Sequence, residues 1–345
     1  MSASHVIAAI WSGYLAVTLP VLTIWLWTLP VYLSLATTWM YFFELRKGER
    51  GVRSAFIRAF PLADYKVVTF RTDLFCAVAV NLFTRPALKW IQRTLLTVAA
   101  GQTGFTVIVA LAGKPTFRIQ SESGIIAIQA TMIVLAFDFH QWFQHYLLHK
   151  VPILWATHKV HHSAEALNLF VDWRDTVLPL PTDVILLLPL EFLVNAMIVG
   201  TTLYLTAPSI LPAALSIFGW YIVYVILMSY FAHGRCWISF GKLNYLFAAP
   251  ILHQLHHSAE LIHRDKNLAI TGGVFSSIFD WMFGTLYVPK KGETWRLGLG
   301  ANELGQNNPH ASIRELLFEP YRFWWNAVKS LFRKHKRPEI GTVTP

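Results

Sequence analysis

The chain has 345 residues, of which 54% are hydrophobic and only 14% are charged. Because a soluble globular domain carries about 25% charged residues, this composition excludes an ordinary soluble protein and predicts an all-α, polytopic membrane helical bundle. The 29 Lys and Arg exceed the 19 Asp and Glu, which gives a formal net charge of +10. These cations lie beside apolar runs, as do residues that set membrane orientation, so we expect no nucleic-acid partner.

Apolar segments predict about six membrane spans by their length. Residues 6–43 have neither a basic n-region nor a cleavage site, so they predict a helical hairpin and not a signal peptide. The next segment, 46–71, is rich in Lys and Arg and is assigned to the cytosolic side. The remaining spans are predicted at 95–112, 125–139, 184–206 and 211–231.

The C-terminal residues 321–337 interleave aromatic and aliphatic side chains with Lys and Arg. This pattern predicts an amphipathic helix on the anionic cytosolic leaflet. The isolated histidines His5, His310 and His335 are expected to be exposed to solvent and to take no part in a site.

All the other histidines of the 14 lie between His140 and His263. Three tight groups stand out, with spacings of three or four residues that place side chains on one helix face. These groups are His145 with His149, His158 with His161 and His162, and His253 with His256 and His257. The last two groups each contain a vicinal pair, whose side chains diverge by about 100° on a helix. One short helix can therefore serve two metal ions.

The order of spans and histidines predicts a single site. Two groups follow the span that ends at Phe139, whereas His233 and the third group follow the span that ends at Phe231. We therefore expect all of them to converge on one cytosolic face. Imidazole suits zinc, iron or copper, and one tetrahedral zinc needs only four ligands, so two metal ions are the simplest interpretation. His140 is turned about 140° from His145 on a helix and is expected to pack or to support a ligand.

Two other classes of protein remain alternatives. A membrane zinc hydrolase normally uses H-E-x-x-H, whereas here a tyrosine and two leucines lie between His145 and His149. A metal transporter or haem-carrying electron-transfer subunit would place its ligands inside spans near the midplane. These histidines lie instead at the ends of spans.

Further motifs accompany the histidines from Phe137 to about Pro289. In order they are Asp138, the first two histidine groups, Glu165, Asp172-Trp173-Arg174, the third group, His263-Arg264-Asp265-Lys266-Asn267 and Phe279-Asp280-Trp281-Met282-Phe283-Gly284-Thr285. This set resembles the fatty acid hydroxylase / sterol desaturase superfamily of integral-membrane di-iron enzymes. Two positions differ from the superfamily: Arg235 stands where Asn is common, and Leu268 follows Asn267 in place of an aromatic residue.

The resemblance implies a helical membrane base under a cytosolic, histidine-rich cap, with a lipid substrate that enters from the bilayer. It also implies two iron ions, with O₂ as cosubstrate. Spacing and resemblance together predict these metal ligands: His145, His149, His158, His161, His162, His233, His253, His256, His257 and His263. Carboxylates that can orient imidazoles from behind are expected at Asp138, Glu165, Asp175 and Asp280.

Oxidation of an unactivated lipid C–H bond by O₂ requires two further electrons. The sequence carries no motif for flavin, b-type haem or an iron–sulfur cluster, and Cys76 and Cys236 lie far apart outside any C-x-x-C. We therefore expect an external electron donor, a reductase with a carrier of the cytochrome b5 or ferredoxin type. The predicted function is O₂-dependent, di-iron hydroxylation of a membrane lipid: a sterol, fatty acyl chain, ether lipid or aminolipid. Desaturation remains the alternative.

The predicted organisation has three parts. Residues 1–123 hold the membrane hairpin, the basic cytosolic loop and the third span. Residues 124–289 form the hydroxylase-like catalytic domain with its two metal ions, and residues 290–345 form the basic amphipathic tail.

Overall fold

The computed structural model describes residues 23, 26–44, 51–79, 98–115, 119, 121–176, 181–206, 208–300 and 308–332. Within these residues the regular structure is helical and contains no strand, as the all-α prediction requires. The helices of this described part are α1 (26–39), α2 (Val52–Ala59), α3 (Phe70–Ala79), α4 (Ala100–Ala112), α5 (Glu122–Lys150), α6 (Pro152–His162), α7 (Pro181–Leu205), α8 (Leu211–Ala232), α9 (Pro250–His256), α10 (Ser276–Met282) and α11 (Ile313–Phe332).

Three helices are long and apolar enough to cross a membrane: Glu122–Lys150, Ile185–Leu205 within α7, and Leu211–Ala232. They coincide with three of the predicted spans and support an integral membrane protein. The span predicted at 95–112 is described from residue 98, and its helix α4 has 13 residues, about 20 Å. Most of the predicted hairpin at 6–43 lies outside the described residues, so the number of about six spans stays a prediction.

The length of α5 determines where its last histidines lie. Its 29 residues extend about 43 Å, whereas the hydrocarbon core of a bilayer is about 30 Å thick. Part of α5 must therefore lie outside the core, and its polar C-terminal end carries His145 and His149. Ser121 caps the N-terminus of this helix, and its hydroxyl accepts a hydrogen bond from the Gly124 amide at 3.2 Å.

α4 and α7 pack backbone to backbone because small residues meet at their crossing. A Cβ atom on Gly200 would lie 2.8 Å from the Cα of Gly104, and one on Gly104 would overlap the carbonyl of Ala196. Small residues permit such close approach between membrane helices, whose association depends on packing. α5 packs on α7 and α8 through the buried residues Ala130, Ile133, Ala136, Val199, Leu203, Leu211 and Ala214.

We expect Gly200→Ala to destabilise the protein and Gly219→Ala to have little effect. The added methyl group at Gly200 would collide with the backbone of Gly104, whereas nothing lies within 4 Å of a Cβ at Gly219. Overpacking of this kind costs about 1–3 kcal/mol. Thermal unfolding of both variants in one detergent measures the difference. Equal melting temperatures would contradict the close crossing of α4 and α7.

A cap of short helices follows the ends of α5 and α8. Pro152 begins α6 directly after α5, and Pro250 begins α9, since proline suits the first turn of a helix. Asn267 has a positive φ of 56°, and its side-chain amide bonds the Leu252 carbonyl at 3.1 Å and the Tyr287 carbonyl at 2.8 Å. This side chain joins α9 to the segment that follows α10.

The amphipathic helix α11 begins before the predicted start at residue 321, and residues 333–345 lie outside the described part. Leu316 of α11 is buried in a cluster shared with α3 and α6. Glu319 of the same helix lies 3.2 Å from the Nε2 atom of His310. His310 is 0% exposed, so the expectation that it is solvated is wrong. The first half of α11 packs against the cap.

Candidate metal centre

Nine histidines, five in one group and four in the other, converge where α5 meets the cap. Site 1 contains His145 and His149 from α5, His158 and His162 from α6, and His256 from α9. Site 2 contains His161 from α6, His233 after α8, His253 from α9 and His257 after it. Within each site the ligand atoms lie within 4.8 Å of one another.

Each vicinal pair is divided between the two sites. His161 belongs to site 2 and His162 to site 1, whereas His256 belongs to site 1 and His257 to site 2. Consecutive side chains on a helix diverge by about 100°, so a single short helix supplies both sites. The ring centroids of His161 and His257 are 4.5 Å apart, and those of His162 and His257 are 4.7 Å apart. The two sites therefore adjoin.

In site 2, two imidazole lone pairs face each other. The Nδ1–H of His161 donates to the carbonyl of Arg174 at 3.1 Å, and the Nδ1–H of His233 donates to the carbonyl of Ser229 at 3.0 Å. A neutral imidazole has one N–H donor and one acceptor nitrogen, so both Nε2 atoms carry lone pairs. These Nε2 atoms lie 3.3 Å apart. A cation bound to both nitrogens would replace this repulsion by attraction.

Site 1 has the same arrangement. The Nδ1–H groups of His145 and His256 donate to the carbonyls of Leu268 and Lys266 at 2.8 and 2.7 Å, which leaves lone pairs on both Nε2 atoms. The Nε2 atoms of His256 and His149 are buried and have no hydrogen-bond partner among the described residues. Unpartnered buried nitrogens of this kind fit a metal ion.

The distances between neighbouring nitrogens agree with a coordination shell. Metal–imidazole bonds of about 2.0–2.1 Å separate adjacent donor atoms by roughly 2.9–3.4 Å. The measured Nε2–Nε2 distances are 2.8 Å for His145–His158, 3.2 Å for His158–His162, 3.1 Å for His233–His253 and 3.1 Å for His253–His257.

The imidazoles of the cap are held in their neutral, metal-binding form. Burial lowers their pKa well below the ordinary value, and nearby imidazoles lower it further, at His158, His161, His162, His253, His256 and His257. The two groups consist of imidazoles alone. Such donors suit iron, zinc or copper and not magnesium or calcium.

Two carboxylates that the sequence did not single out lie beside the sites. Asp265 accepts hydrogen bonds from the Nδ1 atom of His149 at 3.4 Å and from Lys150 at 2.8 Å. Partial burial raises the pKa of Asp265, but these hydrogen bonds outweigh that effect and bring it to about 2. Asp172 lies 3.6 Å from the Nδ1 atom of His233. Both acids belong to motifs of the sequence, but the histidines that they face are distant in sequence.

We expect Asp265→Asn to weaken metal binding at site 1 by about 10–100-fold, as do other changes to residues that orient metal-binding histidines. Asparagine removes the negative charge that faces His149 while keeping the size of the side chain. Glu260→Gln is the matched control, because Glu260 pairs with Arg296 and lies in neither histidine group. Metal retained against a graded chelator measures the effect. Equal retention in the two variants would contradict a role for Asp265.

Asp280, one of the predicted carboxylates, supports site 1 through the backbone. It is fully buried and accepts hydrogen bonds from the indole of Trp142 at 3.1 Å and from the amides of Leu268 and Ala269 at 3.0 and 2.8 Å. Burial raises the pKa of Asp280, and these hydrogen bonds oppose the rise. Leu268 supplies the carbonyl that accepts from His145.

The other predicted carboxylates have different partners. Asp138 accepts from the Phe275 amide at 2.9 Å. Glu165 accepts from the side-chain amide of Asn308 at 3.2 Å. Asp175 accepts from its neighbouring Thr176 amide at 2.8 Å. The Asp138 contact ties α5 to the residue that precedes α10.

Two histidines of the predicted region lie outside both groups. His263 is 2% exposed, with its Nδ1 atom 2.8 Å from the hydroxyl of Ser258 and its Nε2 atom 3.0 Å from Glu293. His140 faces Glu191 of α7, with its Nε2 atom 3.7 Å from a carboxylate oxygen. His140 is thus turned away from the sites, as its helical position predicts.

Arg174 joins the cap to the N-terminal helices. It is fully buried and donates hydrogen bonds to Asp73 of α3 at 2.6 Å, to the Val160 carbonyl at 2.8 Å and to the His310 carbonyl at 2.8 Å. Its own carbonyl accepts from His161. The Asp-Trp-Arg motif thereby connects the packing of three segments to site 2.

A cavity of about 260 Å³ adjoins site 1. Its wall includes His149, His162 and His256 of the site. The ring of Trp155 also lines it, 4.9 Å from His149. The remaining lining comes from 258–261, 264–265, 296 and 298–300 of the cap. A small molecule in this cavity would therefore contact the imidazole rings of site 1, whereas the Nε2 atoms of His149 and His256 lie buried behind them.

Comparison with known proteins gives a family and several relatives. Residues 130–285 match the fatty acid hydroxylase family. The chain is 28% identical to alkylglycerol monooxygenase from Homo sapiens over 151 residues, 44% of this chain and 29% of that protein. It is 28% identical to the Danio rerio alkylglycerol monooxygenase over 192 residues, 54% of this chain and 36% of that protein. It is 26% identical to the ornithine lipid hydroxylase of Rhizobium tropici over 223 residues, 61% of this chain and 60% of that protein.

The aligned part of the chain thus spans about a third of the length of the alkylglycerol monooxygenases it matches. A search of solved structures found no match.

Proposed function

We propose that the protein is an O₂-dependent lipid hydroxylase that binds one iron ion in each histidine site, and the match of residues 130–285 to the fatty acid hydroxylase family supports this. The observation that carries this proposal is the pair of buried, converging sets of neutral imidazoles, each with lone pairs aimed at its own centre. The relatives named as a monooxygenase and a hydroxylase support the same reaction class.

The donor set favours an oxygenase over a zinc hydrolase. One tetrahedral zinc requires four ligands, whereas here two adjoining sites hold nine imidazoles. A zinc hydrolase of the H-E-x-x-H type would also need a glutamate between His145 and His149, and none is there. The bound iron pair would supply the activation of O₂ that oxidation of a C–H bond requires.

The protein residues position this chemistry and keep the ligands neutral. Backbone carbonyls of Leu268, Lys266, Arg174 and Ser229 orient the imidazoles through their Nδ1–H groups. Such supporting contacts fix which ring nitrogen faces the metal. His263 is not part of this proposed ligand set, since both of its nitrogens contact Ser258 and Glu293.

The proposed substrate is a membrane lipid that enters from the bilayer beside α5. An ether lipid or an aminolipid is the preferred class, because relatives are named for alkylglycerol and ornithine lipid. The balanced reaction is R–H + O₂ + 2 e⁻ + 2 H⁺ → R–OH + H₂O. A separate reductase with a carrier of the cytochrome b5 or ferredoxin type would deliver the electrons.

The proposed topology places the cap and both sites on the cytosolic side. In this proposal the chain keeps the three-part division into 1–123, 124–289 and 290–345. Hydrogen bonds join residues 293–298 to the cap. In one of them the Ala259 amide donates to the Arg296 carbonyl at 2.8 Å. These bonds link the third part to the second.

The test is metal analysis and lipid analysis of the same purified protein. We expect about two irons per chain and, with O₂ and a reducing system, a lipid product heavier by one oxygen atom. Labelled ¹⁸O₂ should appear in the product. One zinc per chain would support a hydrolase, and loss of two hydrogens without gain of oxygen would indicate a desaturase.

A further inference from the structure

His263 connects a surface carboxylate to the wall of the cavity. Its Nε2 atom lies 3.0 Å from Glu293, and its Nδ1 atom lies 2.8 Å from the hydroxyl of Ser258. Ser258 lines the cavity beside site 1. Glu293 does not line that cavity, and its side chain is 20% exposed. The three side chains thus form an unbroken hydrogen-bonded chain from the surface to the cavity.

The proposed reaction consumes two protons in each turnover, and they must reach a site surrounded by neutral imidazoles. Both acids on the cavity wall are paired with cations, Asp265 with Lys150 at 2.8 Å and Glu260 with Arg296 at 3.2 Å. A substrate bound in the cavity would also displace water from it. A proton route through side chains behind the cavity wall does not depend on water inside the cavity.

Imidazole and hydroxyl groups can pass protons because each can accept one while donating another. When His263 carries hydrogen on both nitrogens, it donates to Glu293 and to the oxygen of Ser258, which turns the Ser258 hydroxyl hydrogen towards the cavity. When His263 is neutral with hydrogen on Nε2, the Ser258 hydroxyl instead donates to Nδ1. The protonation state of His263 therefore sets the direction of the hydroxyl.

We propose that Glu293, His263 and Ser258 form a proton relay that serves the oxygen chemistry of site 1, an inference that rests on the proposed function. A proton taken from water by Glu293 passes to Nε2 of His263, the Nδ1 proton passes to Ser258, and the Ser258 hydroxyl proton enters the cavity. Exchange of the imidazole tautomer then restores the starting state.

The surroundings of His263 hold few other polar groups. The ring of Tyr287 lies 4.9 Å and that of Trp295 lies 5.9 Å from the imidazole, centroid to centroid. The hydroxyl of Tyr287 and the amide of Lys290 both donate to Glu293, at 2.8 and 2.7 Å. The Tyr287 hydroxyl is therefore a branch on the chain and not a member of it.

The experiment compares Ser258→Ala, Ser258→Thr, His263→Gln and Glu293→Gln, with Tyr287→Phe as matched control. Iron content is measured first, then product formed per O₂ consumed and the rate ratio in H₂O and D₂O. We expect Ser258→Ala and His263→Gln to keep both irons but to slow turnover by about 10-fold or more and to waste O₂. In Ser258→Thr the product formed per O₂ consumed should return to the wild-type value. In Tyr287→Phe both this ratio and the turnover rate should equal those of the wild type.

A second measurement does not depend on activity. In metal-free protein, ¹⁵N spectra of labelled histidine, assigned by difference with His263→Gln, report which nitrogen of His263 carries hydrogen. Glu293→Gln should shift that distribution.

Two results would overturn the relay: full coupling in Ser258→Ala and His263→Gln, or loss of iron in Ser258→Ala, which would make its role structural. A wild-type protein that binds iron but adds no oxygen to any lipid would overturn the proposed function and the relay together. A wild-type protein that couples O₂ consumption to lipid hydroxylation, together with variants that do so equally well, would overturn the relay alone.

Discussion

Replacing His161 with alanine is expected to remove the metal of site 2, and replacing His162 with alanine is expected to remove the metal of site 1. The two residues are adjacent in sequence, but the turn of α6 directs them into different sites. In each variant one iron of the proposed two should be lost. Turnover should fall by more than about 100-fold, since even residues that only support metal ligands contribute up to that factor.

Mössbauer spectra of ⁵⁷Fe-loaded variants test this result, because the iron that remains should differ between the two. His263→Gln is the matched control, as His263 lies outside both sites, and it should keep both irons. Loss of both irons from each single variant would mean that the metals bind only as a pair. Retention of both irons in either variant would contradict the division into two sites.

Replacing Arg174 with methionine should destabilise the protein by about 3–5 kcal/mol, the usual cost of leaving a buried charge unpaired. Arg174 and Asp73 lie 2.6 Å apart, and both side chains are 0% exposed. The variant should also weaken metal binding at site 2, because the Arg174 side chain holds in place the backbone whose carbonyl orients His161. The double variant Asp73→Leu with Arg174→Met should recover part of the stability, since it removes the unpaired carboxylate.

Arg296→Met is the matched control for the buried ion pair. Arg296 also pairs with a carboxylate, Glu260 at 3.2 Å, but its side chain is 82% exposed. An exposed ion pair contributes about 0–1 kcal/mol. Thermal unfolding in detergent should therefore separate the two single variants clearly. Similar melting temperatures for Arg174→Met and Arg296→Met would contradict the structural role of Arg174.

The sequence by itself predicted the helical membrane class and all nine histidines of the two groups, with His263 as a tenth ligand that lies in neither group. Three spans follow from apolar runs long enough to cross a bilayer. The histidine groups follow from spacings that act within one helix, so no knowledge of packing is needed to place His158 and His162 on one face. The division of vicinal pairs also follows from helix geometry alone.

Contacts between distant segments were decided only by the tertiary structure. His263 shares the histidine-rich region, but the fold of its loop turns it to Ser258 and Glu293. His310 lies far from any motif, but α11 packs it into the interior. Asp265 and not Glu165 meets a histidine, because hydrogen bonds across the cap depend on how its loops cross. Local spacing determines which side chains share a helix face, whereas tertiary packing determines which faces meet.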